Sequence, residues 1–340
     1  MSLAFFFIEG LLYGKIDNVN IRINLLLFTK GDEGLSFEYK MFKAAVKASG
    51  VKRSSILPTD ELVAKSIAAQ TSKKNKFVLP ENNEEFKFYD FKVVGKYHCV
   101  KIQNAKKVSK SAILYLYGGG MLMPPSKKYL KYACDMCKET GRDVFFAYYP
   151  LCSTHSILTS VQVVFEMYRM MLEEYEPSKI AIYGFSSGAT LGMSMLLFNN
   201  DIEESLPMPG LYIGISPDGL PADAEEYRQM KLLNEKDIEV DVKSMKAVKE
   251  LLVHNNPDVP GYMVGDYSGN YKGFPESFLF FGQDEVYFAK AERYKYVMEK
   301  AGVRTHLRMR DDMCHCYCVS VKFPEAIEDY REIIKVLKVS

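Results

Sequence analysis

The hydrophobic and polar positions of this chain alternate between the period of strands and the period of helices. From residue 86 onward, short apolar runs alternate with longer amphipathic runs. The predicted strands are 86–94, 97–102, 112–117, 144–148, 180–183, 211–215, 277–281 and 305–309. The predicted helices between and after them are 127–140, 160–174, 289–300 and 325–338. The pattern predicts an α/β fold, in which a mainly parallel sheet opens with an antiparallel hairpin and is covered by helices on both faces.

Four segments lie outside this alternation. Residues 36–72 show two helical patterns, and the Lys, Asn, Glu and Pro-rich residues 73–85 are a linker candidate. Between about 218 and 274 the pattern loosens into charged helical stretches and a loop rich in Gly and Pro. We interpret this insertion as part of a lid, the alternative being an ordinary excursion of the chain. Residues 18–28 read as a possible strand.

Composition and charge describe an ordinary globular protein. The chain has 340 residues, of which 48% are hydrophobic, and this is enough to bury a large core. Its 44 Lys and Arg nearly balance its 43 Asp and Glu, so neither nucleic acid nor an anionic membrane is expected as a partner. The apolar start, residues 1–14, is too short to span a membrane and lacks the layout of a signal peptide. A cytoplasmic protein without stable membrane insertion is therefore expected.

The seven cysteines are expected to be free thiols, because their number is odd and no secretion signal precedes them. Cys134 and Cys137 have redox or zinc spacing, but they lie in a helical pattern and no second such pair exists, which favours buried helix cysteines. The run Cys-His-Cys-Tyr-Cys at 314–318 points its residues alternately to opposite sides. No metal site is expected from it.

The segment 179–196 predicts a strand, a sharp turn and a helix in direct succession. The turn, Gly-Phe-Ser-Ser-Gly at 184–188, has the GxSxG spacing of a nucleophile elbow. Small residues are needed beside a serine in strained backbone, and Gly184 and Gly188 supply them. The spacing alone often marks only a turn, but the flanking strand and helix favour Ser186 as a nucleophile.

A serine nucleophile also needs oxyanion donors, a base and an acid that orients the base. The glycine run 118–120 directly follows the strand 112–117. The backbone amides of Gly119 and Gly120, together with that of Ser187, are the predicted donors of an oxyanion hole.

The base must come from five histidines, which are His98, His155, His254, His306 and His315. His98 and His306 lie inside predicted strands, whereas His155 precedes a helix and His254 lies in the insertion. His315 follows the strand 305–309 and precedes the final helix, where an open α/β sheet displays its functional groups. It is the preferred base.

The acid is expected at the end of the strand 277–281. Asp284 is preferred there, with Glu285 beside it and Asp311 and Asp312 as competitors. The chain order nucleophile, acid, base is the one expected for an α/β-hydrolase.

Seven segments match motifs of a known family. They are 117–120 in the place of HGGG, 148–151 in the place of YRLAPE, 184–188 in the place of GDSAG, 216–218 in the place of SPxxD, 281–286 in the place of the acid segment, and 301–303 with 315–317 in the place of AGV and HGF. The chain from about residue 112 to its C terminus therefore resembles the hormone-sensitive-lipase-like branch of the α/β-hydrolases, which holds many carboxylesterases and acetyl esterases. This resemblance implies Ser186 as nucleophile, Asp284 as orienting acid and His315 as base.

The chain departs from that family in four motifs. Tyr117 replaces the usual His, Phe185 the usual Asp and Cys316 the usual Gly, and the segment Tyr-Pro-Leu-Cys-Ser-Thr at 149–154 lacks the usual Ala-Pro-Glu. Because oxyanion donors are backbone groups, Tyr117 need not abolish the hole, although the hydrogen bonds that support the loop must differ.

The resemblance implies a serine hydrolase that cleaves short- to medium-chain carboxylic esters through an acyl-enzyme, without metal or organic cofactor. Residues 1–75 would form an N-terminal cap or extension, and 76–340 the catalytic domain with the possible lid insertion 218–274. Met121 and Leu122 would line the substrate pocket. The expected partner is a small-molecule ester, and a homodimer is left open. The alternatives are a peptidase of the same fold and a noncatalytic ligand-binding homologue.

Overall fold

The computed structural model describes residues 34–319 and 322–339. The possible strand within 18–28 and the first part of the predicted N-terminal extension lie outside the described residues.

Eight strands form one sheet. They are β1 (Phe86–Val93), β2 (Tyr97–Asn104), β3 (Ala112–Leu116), β4 (Asp143–Ala147), β5 (Ile180–Phe185), β6 (Leu211–Ile215), β7 (Glu276–Gly282) and β8 (Thr305–Arg310). Their order in the sheet is β1-β2-β4-β3-β5-β6-β7-β8. The β1–β2 hairpin and the β2–β4 pair are antiparallel, and the other neighbours are parallel. The predicted α/β fold with a mostly parallel sheet is confirmed.

Eleven α-helices accompany the sheet within the described residues. They are α1 (Phe37–Ser49), α2 (Val51–Ser54), α3 (Thr59–Thr71), α4 (Lys127–Thr140), α5 (Ile157–Met171), α6 (Ser187–Asp201), α7 (Ala224–Leu233), α8 (Met245–Val253), α9 (Gly261–Val264), α10 (Ala291–Lys300) and α11 (Pro324–Val339). α4 packs against α11, and α5 packs against α6. Every residue of β3, β4, β5 and β6 is buried, as expected for parallel strands covered by helices.

The predicted elements from residue 86 onward are all present, with small shifts of their ends. The helix predicted from 160 begins at Ile157, because Ser156 adopts the extended backbone of an N-cap residue. The helix predicted from 289 begins at Ala291, because a 3₁₀ turn, Val286–Lys290, precedes it. Both helical patterns within 36–72 are helices of the structure.

The helix α1 is attached to the far end of the chain. Ser36 caps α1 by accepting a hydrogen bond from the Tyr39 amide at 3.1 Å. The hydroxyl of Tyr39 donates to the carbonyl of Asp312 at 3.0 Å and accepts from the amide of Cys314 at 2.8 Å. Tyr39 is completely buried. The contact fixes the loop after β8 against the N-terminal helices.

The insertion between β6 and β7 is ordered around a buried lysine. Nζ of Lys290 donates to the carbonyls of Leu220 and Gly265 at 2.8 Å each and to Glu226 Oε2 at 3.0 Å. Burial lowers the pKa of Lys290 to about 8, and Glu226 acts in the opposite direction. This buried cation holds both ends of the insertion to the segment after β7.

The turn from β5 into α6 requires glycine for reasons of space. A Cβ on Gly188 would lie 2.2 Å from the carbonyl oxygen of Leu116 and 2.4 Å from that of Tyr117. A Cβ on Gly184 would lie 2.4 Å from the carbonyl oxygen of Gly188. The two outer positions of GxSxG are therefore set by backbone packing.

Gly188→Ala is predicted to destabilise the fold by about 3 kcal/mol, because backbone atoms of β3 and its following loop would have to move. The free energy of unfolding is measured by urea denaturation. Gly141→Ala is the control for steric contact, because a Cβ on Gly141 would meet nothing within 4 Å, although Gly141, unlike Gly188, has a left-handed backbone with φ +72°. The control should cost about 1 kcal/mol. Equal losses for the two variants would contradict the packing argument.

Candidate active site

Ser186 lies at the tip of the turn between β5 and α6. Its backbone has φ 52° and ψ −133°, a strained conformation for a residue with a side chain. Its amide donates to the carbonyl of Ile215 at 2.8 Å, so the strained turn is bonded to the end of β6. Its Oγ lies 2.9 Å from Nε2 of His315. The predicted nucleophile and base are thus brought within hydrogen-bond distance.

His315 lies in the loop after β8 and is buried, with 3% of its surface exposed. Its Nδ1 makes a short hydrogen bond with Oε2 of Glu285. The ring thereby joins a hydroxyl on one nitrogen to a carboxylate on the other. This is the arrangement that orients an imidazole for proton transfer.

The carboxylate beside His315 belongs to Glu285, which corrects the partner expected from the sequence, Asp284. The carboxylate of Asp284 instead lies 3.3 Å from Nζ of Lys43 and 3.3 Å from Nζ of Lys236. The turn after β7 explains the difference. The amide of Gly282 donates to Oε1 of Glu285 at 3.0 Å, which folds this longer side chain back across the end of the sheet.

Ser216 joins the acid to the base loop, a role that the sequence reasoning missed. Its hydroxyl donates to Oε1 of Glu285 at 2.8 Å and accepts from the amide of Cys316 at 3.1 Å. Its backbone has a positive φ of 46°, although it is not glycine. The sequence signal for this role is the Ser216-Pro217 pair directly after β6. The pair matches a family motif, but the motif alone does not indicate what Ser216 binds.

The glycine run after β3 faces the nucleophile. Gly119 and Gly120 have φ values of 150° and 63°, which side chains rarely adopt. Neither amide donates to a backbone carbonyl within residues 34–319 and 322–339. The amide of Ser187, at the first position of α6, has no partner inside the helix. Three N–H groups are therefore free for an oxyanion.

Tyr117 contributes to the support of this loop through its ring and its carbonyl group. Its ring stacks on that of Tyr149 with centroids 4.4 Å apart. The hydroxyl of Tyr149 donates to the carbonyl of Tyr117 at 2.5 Å, and Oγ of Ser187 accepts from the amide of Met121 at 3.2 Å. An aromatic stack and two hydrogen bonds thus hold the loop.

The buried His315–Glu285 pair shifts the pKa of both groups. Burial lowers the pKa of His315, but Cys316 and Glu285 raise it by more, so it lies well above its ordinary value. Burial raises the pKa of Glu285 above its ordinary value, and His315 offsets only part of this rise. Each group therefore favours the charged form of the other.

A cavity of about 190 Å³ opens beside Ser186 and His315. Leu122 lines it, while Met121 lines a smaller neighbouring space of about 20 Å³. The N-terminal helices contribute to the wall, and so does the insertion. The lining residues from the N-terminal helical region are Val51, Ser54, Ser55, Leu62 and Lys65. Those from the insertion are Glu239, Val240, Ser244 and Val248.

The other chemical candidates lie away from this site or form no cluster. Ring nitrogens of His98 and His306 contact the carboxylates of Asp90 and Glu276. In the described part of the chain all seven cysteines are free, and no group of His, Cys, Asp and Glu could hold a metal ion. None of the described helices combines the length and hydrophobicity that a bilayer crossing requires.

The fold and site define an α/β-hydrolase, and comparison with known proteins agrees. The sequence profile of the alpha/beta hydrolase fold family matches residues 113–319, more than half of the chain, and the chain belongs to this family. An esterase of Acinetobacter venetianus is 23% identical over 234 residues, which are 67% of this chain and 75% of that protein.

Solved structures share the fold. EstE5, in a crystal soaked with p-nitrophenyl butyrate, superposes with a TM-score of 0.72 and 21% identity over 89% of this chain and 98% of that chain. An esterase from the bacterial hormone-sensitive lipase family superposes with a TM-score of 0.67 and 20% identity over 82% of this chain and 97% of that chain.

Glu285→Gln is predicted to lower the pKa of His315, because a neutral amide no longer stabilises the imidazolium. Asp284→Asn is the control, since its carboxylate contacts lysines, and it should leave the titration of His315 close to that of the wild type. The imidazole C–H resonance is followed by NMR from about pH 5 to about pH 9, with His315→Ala providing the assignment. A larger shift in Asp284→Asn than in Glu285→Gln would refute the assignment of the partner.

Proposed function

We propose that the protein is a carboxylic ester hydrolase that works through Ser186, His315 and Glu285. The observation that carries this proposal is the chain of contacts from Oγ of Ser186 to Nε2 of His315, 2.9 Å apart, and from Nδ1 of His315 to Glu285. A hydroxyl, an imidazole and a carboxylate in this order form a nucleophile, a base and its orienting acid. The acid is glutamate here, so the triad is Ser-His-Glu.

The first half of the reaction forms an acyl-enzyme. Oγ of Ser186 attacks the ester carbonyl carbon while its proton passes to Nε2 of His315. The amides of Gly119, Gly120 and Ser187 bind the oxyanion of the tetrahedral intermediate, and one such donor contributes roughly 3 to 4 kcal/mol. Collapse of the intermediate breaks the ester C–O bond, and the leaving alkoxide takes the proton from His315.

The second half releases the acid. A water molecule gives a proton to Nε2 of His315 and attacks the acyl carbon of the ester on Ser186. The second tetrahedral intermediate collapses, Oγ of Ser186 regains the proton, and the carboxylic acid leaves. Glu285 stays ionised throughout and stabilises the imidazolium of both halves.

The size of the cavity supports small acyl groups. Its volume of about 190 Å³ lies below the roughly 300 to 1,000 Å³ common for pockets that hold drug-sized ligands. Leu122, Met123 and Pro124 give part of its wall an apolar lining. We therefore propose short- to medium-chain esters as substrates.

The N-terminal helices and the insertion are proposed to form the cap of this cavity. Helices α2 and α3 contribute Val51 and Leu62 to the wall, and the insertion 218–274 contributes Val240 and Val248. α3 also packs against α8. Residues 1–75 would then be cap or extension, and 76–340 the catalytic domain. A cytoplasmic location and a homodimer stay predictions.

Ser186→Ala and His315→Ala are each predicted to lower kcat for p-nitrophenyl butyrate by at least about 10⁴-fold, because nucleophile and base act as a unit. Release of p-nitrophenol is followed at 400 nm, with acetate, octanoate and palmitate esters beside the butyrate. We expect acetate and butyrate to be hydrolysed faster than palmitate.

Turnover that survives Ser186→Ala would contradict the mechanism. Cleavage of peptides in place of esters would favour the peptidase alternative. Ester binding without turnover by the wild type would favour a noncatalytic homologue.

Glu285→Gln is predicted to lower kcat for p-nitrophenyl butyrate by about 10³- to 10⁴-fold, because the imidazole loses its orienting carboxylate. Asp284→Asn, the matched neighbour, should stay within about tenfold of the wild type. Steady-state kinetics of the two variants at one pH decide between the adjacent acids. A greater loss in Asp284→Asn would restore the acid expected from the sequence.

A further inference from the structure

The cavity contains a carboxylate that the proposed reaction does not use. Glu239 lies in the insertion, between α7 and the 3₁₀ turn Val242–Ser244, and lines the same cavity as Ser186 and His315. Only 6% of Glu239 is exposed. A charged side chain this deeply buried normally has a partner of opposite charge or several hydrogen bonds.

Within the part of the chain that the structure describes, Glu239 has no such partner in direct contact, and the opposite charge that acts on it is that of His315. Its backbone is fixed, because its amide donates to Oδ1 of Asp237 at 2.7 Å. The other oxygen of Asp237 accepts from the amide of Val286 at 2.8 Å. No described residue donates a hydrogen bond to the side chain of Glu239 or forms an ion pair with it. The segment therefore holds an unpaired carboxylate at the cavity wall.

The surroundings of Glu239 carry more negative than positive groups. Asp218 also lines the cavity, and the carboxyls of Asp237 and Glu285 act electrostatically on Glu239. Lys65 is the one lysine among the described lining residues, and it forms no ion pair with Glu239. Three further lysines near this region are already paired, and they are Lys43 and Lys236 with Asp284, and Lys290 with Glu226.

The pKa of Glu239 follows from this setting. Burial raises it to about 7, while His315 lowers it. A cation bound in the cavity would lower it further and keep the carboxylate ionised. A direct cationic partner, which Glu239 lacks among the described residues, can thus be supplied by a ligand.

We propose that Glu239 is a specificity-determining residue that binds a protonated amino group of the ester substrate. The inference rests on the proposed esterase function and narrows its substrate class to esters that carry an ammonium group on the acyl or alcohol part. An ammonium group donates charge-assisted hydrogen bonds to a carboxylate. A neutral substrate of the same shape leaves the buried carboxylate unpaired, and this discriminates strongly against it.

The test compares esters that differ only in an ammonium group replaced by a methyl group. On the acyl part these are p-nitrophenyl 6-aminohexanoate and p-nitrophenyl heptanoate. On the alcohol part they are 6-aminohexyl butyrate and heptyl butyrate, whose hydrolysis is followed by pH-stat titration. The quantity measured is the ratio of kcat/KM for the cationic ester to kcat/KM for the neutral ester.

In the wild type this ratio should exceed about ten in at least one pair. Glu239→Gln, which keeps the shape but removes the charge, should lower the ratio at least tenfold. Glu239→Asp keeps the charge and should retain part of the preference. Glu235→Gln is the matched control, because Glu235 is exposed on the same segment and its loss changes net charge equally. Its ratio should equal that of the wild type.

A wild-type ratio of one or below in both pairs overturns the inference, even if the Gln variant fails to fold. An unchanged ratio in Glu239→Gln, or an equal fall in Glu235→Gln, overturns it as well. If the proposed esterase function is wrong, none of the four esters is hydrolysed, which distinguishes this outcome from the others. The inference about Glu239 is then overturned as well.

Discussion

The site depends on an imidazole and a carboxylate that are paired and almost fully buried inside the protein. Taking both His315 and Glu285 out of solvent is costly, and their attraction offsets this cost only with good geometry and further hydrogen bonds. Three parts of the chain supply these hydrogen bonds. Gly282 at the end of β7 and Ser216 at the end of β6 both donate to Glu285, and the amide of Cys316 binds the same serine.

Ser216 is the point at which these elements meet. Its amide donates to the carbonyl of Phe280 at 2.7 Å, so its backbone also bridges β6 and β7. A positive φ at a residue other than glycine costs free energy, and such strain persists where the surrounding contacts over-determine it. Here the strained backbone places the hydroxyl of Ser216 within hydrogen-bond distance of Glu285 and of the amide of Cys316, in the loop that carries His315.

The fold and two residues of the site, Ser186 and His315, can be predicted from the sequence because they follow from local patterns. Strand and helix periods place Ser186 after one strand and His315 after another, and parallel strands bring their ends to one edge. The acid lies beyond this reasoning, since Asp284 and Glu285 are adjacent and equally suited by position. Only the folded turn, in which one side chain bends back and the other meets Lys43 and Lys236, separates them.

The position of Glu239 at the cavity could not be predicted from the sequence, for a related reason. Its segment has no regular period, so nothing local indicates which of the many charges between 218 and 274 faces inward. The carboxylate of Asp237 accepts hydrogen bonds from the amides of Glu239 and Val240, and these contacts lie within an irregular loop. Such loops are specified by tertiary packing, and their inward-facing residues emerge only with the structure.

The hydrogen bond between Tyr39 and the amide of Cys314 joins residues 275 positions apart. A chain made from its N terminus produces α1 long before the loop that this tyrosine holds. Helix α1 can form this buried contact only after most of the polypeptide has been synthesised, because its partner is residue 314. Contacts of such high sequence separation carry a large loop-closure cost and slow folding. The loop that carries His315 can therefore reach its final position only after residue 314 has been synthesised and has packed against α1.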